Sequence, residues 1–327
     1  MKLVYLILAH KEPEQLFRLL SRLSSDDTIF VIHFCKKSSN KIFREIKNKY
    51  CNHKNVFFCK RGNGAWGEVG IVKAVFHSIV LLNEKNINYD YFNVISAQDY
   101  PLKSNENIKK YFKDNYGKQF LKYWKMLPAE NGEYAEEQIW KEFGVRRIEK
   151  RRMKIFGKYF YIPDNHYMPH NFFVNLKIFI FEIPKKIGEK TLKTDLMNFI
   201  LSAIFPKHRN FPEGIEPYGG SQWWSVTKDC AEYILEFYKK NKFLIRFYKR
   251  TLLSDEMFAA TCLMNSRYKS EIVNDNLRYI VFNENSSHPK TFTINDFEEL
   301  MNSKKLFARK FETNIDNEIL KLIDKTS

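Results

Sequence analysis

The N-terminal third of the chain alternates apolar runs of strand length with amphipathic segments of helix length. Residues 3–9, 28–34, 55–59 and 91–96 are short runs rich in Val, Ile, Leu, Phe and Tyr. Residues 14–23 place Leu16, Leu19, Leu20 and Leu23 on one helical face, behind Pro13 in a first turn. Residues 39–50 and 69–82 read as two more helices. Strand and helix in alternation predict an α/β fold, a mostly parallel sheet covered by helices on both faces. Ligands of such sheets bind beyond the carboxyl ends of the strands. Here those ends carry Ala9-His10, His33–Lys37, Arg61–Gly67 and Ser96–Pro101.

The pattern changes between about 125 and 215. Arg146, Arg147, Lys150, Arg151, Arg152 and Lys154 form a basic cluster. Two apolar pieces follow, Phe172–Ile183 and Leu196–Phe205, with Lys185, Lys186, Lys190 and Lys193 between them. Helical periodicity returns at 231–238, 256–264 and 296–301. No repeat and no Gly/Ser linker interrupts the chain. We therefore expect a single domain: a nucleotide-binding half (1–124), a basic and apolar insertion (125–215), and a catalytic and acceptor half (216–327).

Charge narrows the partners. The 327 residues carry 54 Lys and Arg against 38 Asp and Glu, a net +16, which favours an anionic ligand or surface. AT-rich codons for Lys, Asn, Ile, Phe and Tyr account for part of this. No RNP, zinc-finger or helix-turn-helix signature accompanies the charge, so no nucleic-acid partner is expected. No apolar run reaches the roughly 18 residues of a membrane span. The first strand, behind a single Lys, lacks the cleavage site of a signal peptide. Five cysteines, with no C-x-x-C, indicate neither a disulfide framework nor a zinc site, and a cytoplasmic protein is expected.

Several short motifs bear on chemistry. Gly62-Asn-Gly64-Ala-Trp-Gly67 matches the dinucleotide G-x-G-x-x-G, but on the third strand–helix unit rather than the first, so a loop bordering a ligand cleft is the expectation. None of the thirteen aspartates forms the Asp-x-Asp of metal-dependent sugar transferases, and no metal site is expected. His166 and His170 are separated by Pro169, which rules out a helical ligand pair. Ser254-Asp255-Glu256 opens a helix, where a carboxylate could cap it or act as a base. Arg309-Lys310, set among aromatics, reads as a solvated turn or as two cations for a diphosphate.

In this order the motifs resemble the family of core-2/I-branching β-1,6-N-acetylglucosaminyltransferases and peptide O-xylosyltransferases. The resemblance rests on Tyr5–His10, Ile32–Ser38, Ala65-Trp-Gly67, Ser96–Ser104, Gly220–Trp224, Thr251–Glu256, His288-Pro-Lys290 and Leu306–Phe311. It implies a GT-A-like fold, an inverting reaction, a UDP-sugar donor (GlcNAc, with xylose or another hexose as the alternative), and no cofactor or metal. It further implies Glu256 as general base. Arg309, Lys310 and Lys290 would lie at the diphosphate, Asp99 at the donor sugar, and His10, His33 and Trp66 around the nucleotide. Gln222, Trp223, Trp224 and Asp255 would lie toward the acceptor. Cys35 stands where the family usually has an acid, which leaves the donor nucleoside contact open. Without an anchor and with few cysteines, the chain resembles a bacterial member. Such a member would act on a glycan or lipid-linked glycan at the inner face of the cell membrane, docked on anionic lipid by its basic middle section.

Overall fold

The computed structural model of the chain describes residues 1–62, 67–127, 141–155, 158–162, 197–198, 200–202, 204, 208–283 and 288–326. The first half runs β1 (Leu3–Ala9), α1 (Pro13–Leu23), β2 (Thr28–Phe34), α2 (Asn40–Tyr50), β3 (Val56–Phe58), α3 (Val69–Glu84) and β4 (Tyr91–Ser96). These are the predicted elements, with ends shifted by one or two residues. There follow β5 (Asp99–Pro101), α4 (Asn105–Asp114), β6 (Gln119–Lys125), α5 (Lys141–Glu149), and a hairpin of β7 (Arg151–Ile155) and β8 (Lys158–Ile162). The last part contributes β9 (Tyr218–Thr227), β10 (Ile272–Val273), β11 (Arg278–Ile280), β12 (Phe307–Arg309) and the helices Lys228–Lys240, Lys242–Tyr248, Asp255–Met264, Phe297–Asn302 and Glu318–Thr326.

A seven-stranded sheet has the order β10-β6-β9-β4-β1-β2-β3. All neighbours pair in parallel except β9, which is antiparallel to β4 and β6. The two halves expected from sequence thus share one sheet. Alternation along the strands sends side chains to two cores. Val4 and Leu6 of β1, Ile29 and Val31 of β2, and Phe92 and Val94 of β4 face a core shared with α3 and the helices 228–240, 242–248 and 255–264. Leu3, Tyr5, Ile7, Phe30, Ile32, Tyr91 and Ile95 face the other, shared with α1, α4 and the helix 318–326. A three-stranded sheet, β11-β12-β5, sits at the carboxyl end of β4.

Two features of β9 set the side chains that reach the strand ends. The segment is a ten-residue strand. Gly220 permits it: a Cβ there would lie 2.7 Å from the Lys122 carbonyl and 2.8 Å from the Ala260 Cβ, so the helix 255–264 seats directly on β9. The register then slips: β6 advances from Leu121 to Tyr123 while β9 runs from Trp224 to Gly220. The surplus residues Ser221–Trp223 bulge, re-aiming side chains that strict alternation would have sent elsewhere.

Candidate active site

The carboxyl ends of β1, β2 and β4 open into a cleft with two lobes. The inner lobe, about 360 Å³, is lined by His33, Cys35, Lys37 and Ser38 from the end of β2 and by Ser96 at the end of β4. The outer lobe, about 610 Å³, is lined by Glu256, Lys310, Ser221, Asp275 and Lys305 among others. His10, Gln98, Gln222, Trp223 and Arg309 border both, so the lobes are continuous.

Arg309 is fixed by the small sheet. Antiparallel pairing of β12 with β5 sets Arg309 opposite Asp99, and the Arg309 Nη1–Asp99 Oδ1 pair closes to 2.8 Å. The Arg309 guanidinium stacks 4.5 Å above the Trp223 ring. Asp99 is 0% exposed. It also accepts the Ser96 N–H at 3.0 Å and lies 3.9 Å from the Arg278 Nε. Arg278 is itself buried and donates to the Val94 carbonyl at 2.7 Å. Asp99, expected at the donor sugar, borders neither lobe and holds Arg309 from behind. A guanidinium carries five N–H donors, so this pairing leaves others for a diphosphate.

Lys310 borders the outer lobe and pairs with Glu312 at 2.9 Å. Lys290 is tied to Asp296 at 2.5 Å and borders neither lobe, although its neighbours His288 and Pro289 border the outer one. Of the three cations expected at a diphosphate, Arg309 and Lys310 border the cleft.

Glu256 sits in the first turn of the helix 255–264, partly exposed to the outer lobe. Burial raises its carboxyl well above the usual carboxylate range, the neighbouring Asp255 charge raises it further, and Arg147 draws it back. Asp255, expected toward the acceptor, is buried and borders neither lobe. Its Oδ2 accepts the Gly67 N–H at 3.3 Å. Burial raises its carboxyl too, with the Gly67 hydrogen bond opposing.

The glycine-rich loop is pinned at both ends. Gly62 donates its N–H to His33 Nε2 at 3.2 Å, and the Gly62 carbonyl accepts the Lys36 N–H at 2.9 Å. Burial, with His77 and Arg61 nearby, lowers His33 to about 4, so it is a neutral acceptor at ordinary pH. Arg61 holds the loop after β2 by donating to the carbonyls of Phe34, Cys35 and Ser38. At the other end, Gly67 has φ +74° and its carbonyl accepts from Leu253 N–H and Arg152 Nη1, both at 3.0 Å. Trp66 lies outside the described residues. His10 borders both lobes, and burial together with the Lys11 and Arg309 charges lowers its pKa.

Trp224, also expected toward the acceptor, borders neither lobe. It is 3% exposed and packs in the core beside Phe92, whereas the bulge brings Gln222 and Trp223 to the cleft. Sequence reasoning missed Gln98, although it lies inside a motif already singled out. It also missed Asn274, Asp275 and Lys305: an Asn-Asp-Asn run reads as an ordinary turn, and nothing in its spacing points to a cleft 30 residues from Lys305. Among the described residues, no three His, Cys, Asp or Glu side chains group as metal ligands.

The chain belongs to the Core-2/I-Branching enzyme family, whose sequence model matches residues 3–156 and 164–303. Its curated relatives include xylosyltransferase 2 of Rattus norvegicus, 26% identical over 345 residues, covering 99% of this chain and 33% of the relative. Xylosyltransferase 1 of Homo sapiens is 23% identical over 346 residues, covering 99% of this chain and 30% of the relative. The chain thus spans about a third of the length of the curated relatives it matches. Solved structures similar to it include core-mannan synthase A of Aspergillus fumigatus, at 10% identity over 83% of this chain and 72% of that one, TM-score 0.34. Another is mouse xyloside xylosyltransferase 1, at 13% identity, 81% and 83% coverage and TM-score 0.30.

Proposed function

We propose that the chain is an inverting glycosyltransferase that moves a sugar from a UDP-sugar to a hydroxyl of a glycan acceptor without a metal ion. The observation that carries this reading is that one cleft holds both Glu256 and the Arg309–Lys310 pair. Glu256 takes the proton of the acceptor hydroxyl as its oxygen attacks the anomeric carbon. The anomeric carbon–oxygen bond breaks on the opposite face, and the electron pair leaves with UDP. A base whose pKa is raised toward ambient pH is well matched to this step, typically contributing roughly 10²–10⁴-fold. Arg309, oriented by Asp99 and Trp223, and Lys310 meet the charge that develops on the diphosphate, where one well-placed group contributes about 3–4 kcal/mol. The inner lobe, with neutral His33, takes the nucleoside.

N-acetylglucosamine is one donor sugar the family resemblance suggests; the xylosyltransferase names of the curated relatives favour xylose. A lipid-linked acceptor, and work at the inner face of the cell membrane, remain part of the proposal. The test is transfer or hydrolysis with UDP-GlcNAc, UDP-Xyl, UDP-Gal and UDP-Glc in excess EDTA. One donor should be consumed with release of UDP. Activity lost in EDTA and restored by Mn²⁺ would reject the metal-free mechanism, and binding of no uridine nucleotide would reject the donor class.

A further inference from the structure

We infer that the exposed face of the helix 242–248, with the residues flanking it, is a docking surface for an anionic lipid bilayer, a reading that rests on the work at the membrane proposed above. Residues 239–250 hold six Lys and Arg and no acid, so six of the net sixteen positive charges fall within twelve residues. The helical pattern sorts them outward. Leu244, Ile245 and Tyr248 are buried and seat the helix on the core. Lys242, Arg246 and Lys249, spaced i, i+4, i+7, project from the other side, and Lys239, Lys240 and Arg250 flank them; all six are exposed. Lys240 pairs with Glu236 at 2.6 Å, while the other five have no acidic partner among the described residues. Arg151 and Arg209 add positive charge beside Arg250.

An apolar anchor sits among these charges. Phe243 is 49% exposed, on the same outward side as Lys242 and Arg246. Phe247, one turn on, is covered instead: the Arg209 guanidinium stacks 3.8 Å over its ring, and Phe211 packs edge-on against it. Cations around a bare aromatic ring match a layer of acidic headgroups above acyl chains. A second copy of the chain would bring its own +16 and be repelled. Duplex nucleic acid would use the cations but offers no apolar layer to the ring. The surface also lies close to the cleft. The Arg250 carbonyl accepts the Arg152 N–H at 2.7 Å, and Arg152 in turn holds the Gly67 carbonyl. The chain from Arg250 to Glu256 spans at most about 20 Å. Docking here holds Glu256 within reach of an acceptor anchored in the bilayer.

The test is co-sedimentation of the full chain with vesicles of equal parts phosphatidylcholine and phosphatidylglycerol, beside vesicles of phosphatidylcholine alone and a duplex DNA oligomer. The chain should bind the anionic vesicles at low salt and leave the neutral ones. Lys242→Gln, Arg246→Gln and Lys249→Gln combined should lower that partition about 100-fold, at about fivefold for each cation. Phe243→Ser should lower it about tenfold, and Phe243→Trp should add emission that shifts to the blue on the anionic vesicles. UDP affinity should be the same in every variant. The surface is overturned by any of four results: no binding to the anionic vesicles, a triple variant that binds as the wild type does, no shift from Phe243→Trp, or tighter binding to the DNA than to the vesicles. Failure of the wild type to bind UDP would instead overturn the glycosyltransferase reading.

Discussion

At the residue scale, a charged group behind the cleft matters as much as those facing it. Asp99 compensates Arg309 and faces Arg278, with no exposed surface of its own. Removing one partner of such a buried pair typically costs roughly 3–5 kcal/mol because the other charge is left uncompensated. Asp99→Asn should therefore lower the unfolding free energy, read by denaturant titration, by an amount in that range; a residue that merely touched the sugar would leave it unchanged. Glu256, as the proposed base, sets the expected pH dependence. Its carboxyl is raised by burial and by Asp255, and a base works only when ionised. Activity should thus fall as pH drops through a value above the ordinary carboxylate range. Asp255→Asn, by removing a negative neighbour, should move that acid limb to lower pH, which a pH–rate profile reads directly.

At the element scale, strands and helices of the first hundred residues were legible because period-2 and period-3.6 patterns feed two separate cores. What stayed illegible depends on contacts between distant segments. The β9 bulge arises from pairing with β6, so nothing local announces that Gln222 and Trp223 face the cleft while Trp224 does not. Asp99 sat in a readable motif, but its partner Arg309 is set by the β5–β12 register, 210 residues away. Gly220 marks where the helix that carries Glu256 meets the sheet. Gly220→Ala should cost about 1–3 kcal/mol through overpacking and lower turnover by displacing Glu256. Denaturant unfolding beside a rate measurement checks both; an alanine variant with wild-type stability would mean the helix does not rest there.

At the scale of the whole molecule, the basic middle section divides. Arg147 acts on Glu256 and Asp255, and Arg152 clamps the Gly67 carbonyl and stacks 3.9 Å above Tyr159. These two of the six cations at 146–154 face the cleft region, because buried carboxylates and the buried Gly67 carbonyl draw them inward. Residues 172–183 and 185–193, and part of 196–205, lie outside the described residues, and no helix among the described residues is long and apolar enough to cross a membrane. Peripheral docking by the remaining cations, at about 1 kcal/mol each near an acidic surface, predicts co-sedimentation with vesicles that rises with anionic lipid and falls with salt. No binding to strongly anionic vesicles at low salt would count against it.

The central claim is that Glu256 is the base in a cleft whose donor is held by other residues. It is tested most directly by measuring UDP binding and single-turnover transfer on Glu256→Gln, with the donor that the wild-type protein uses. UDP affinity should match the wild type while the transfer rate falls at least about 10²-fold. Near-normal transfer by that variant would contradict the account.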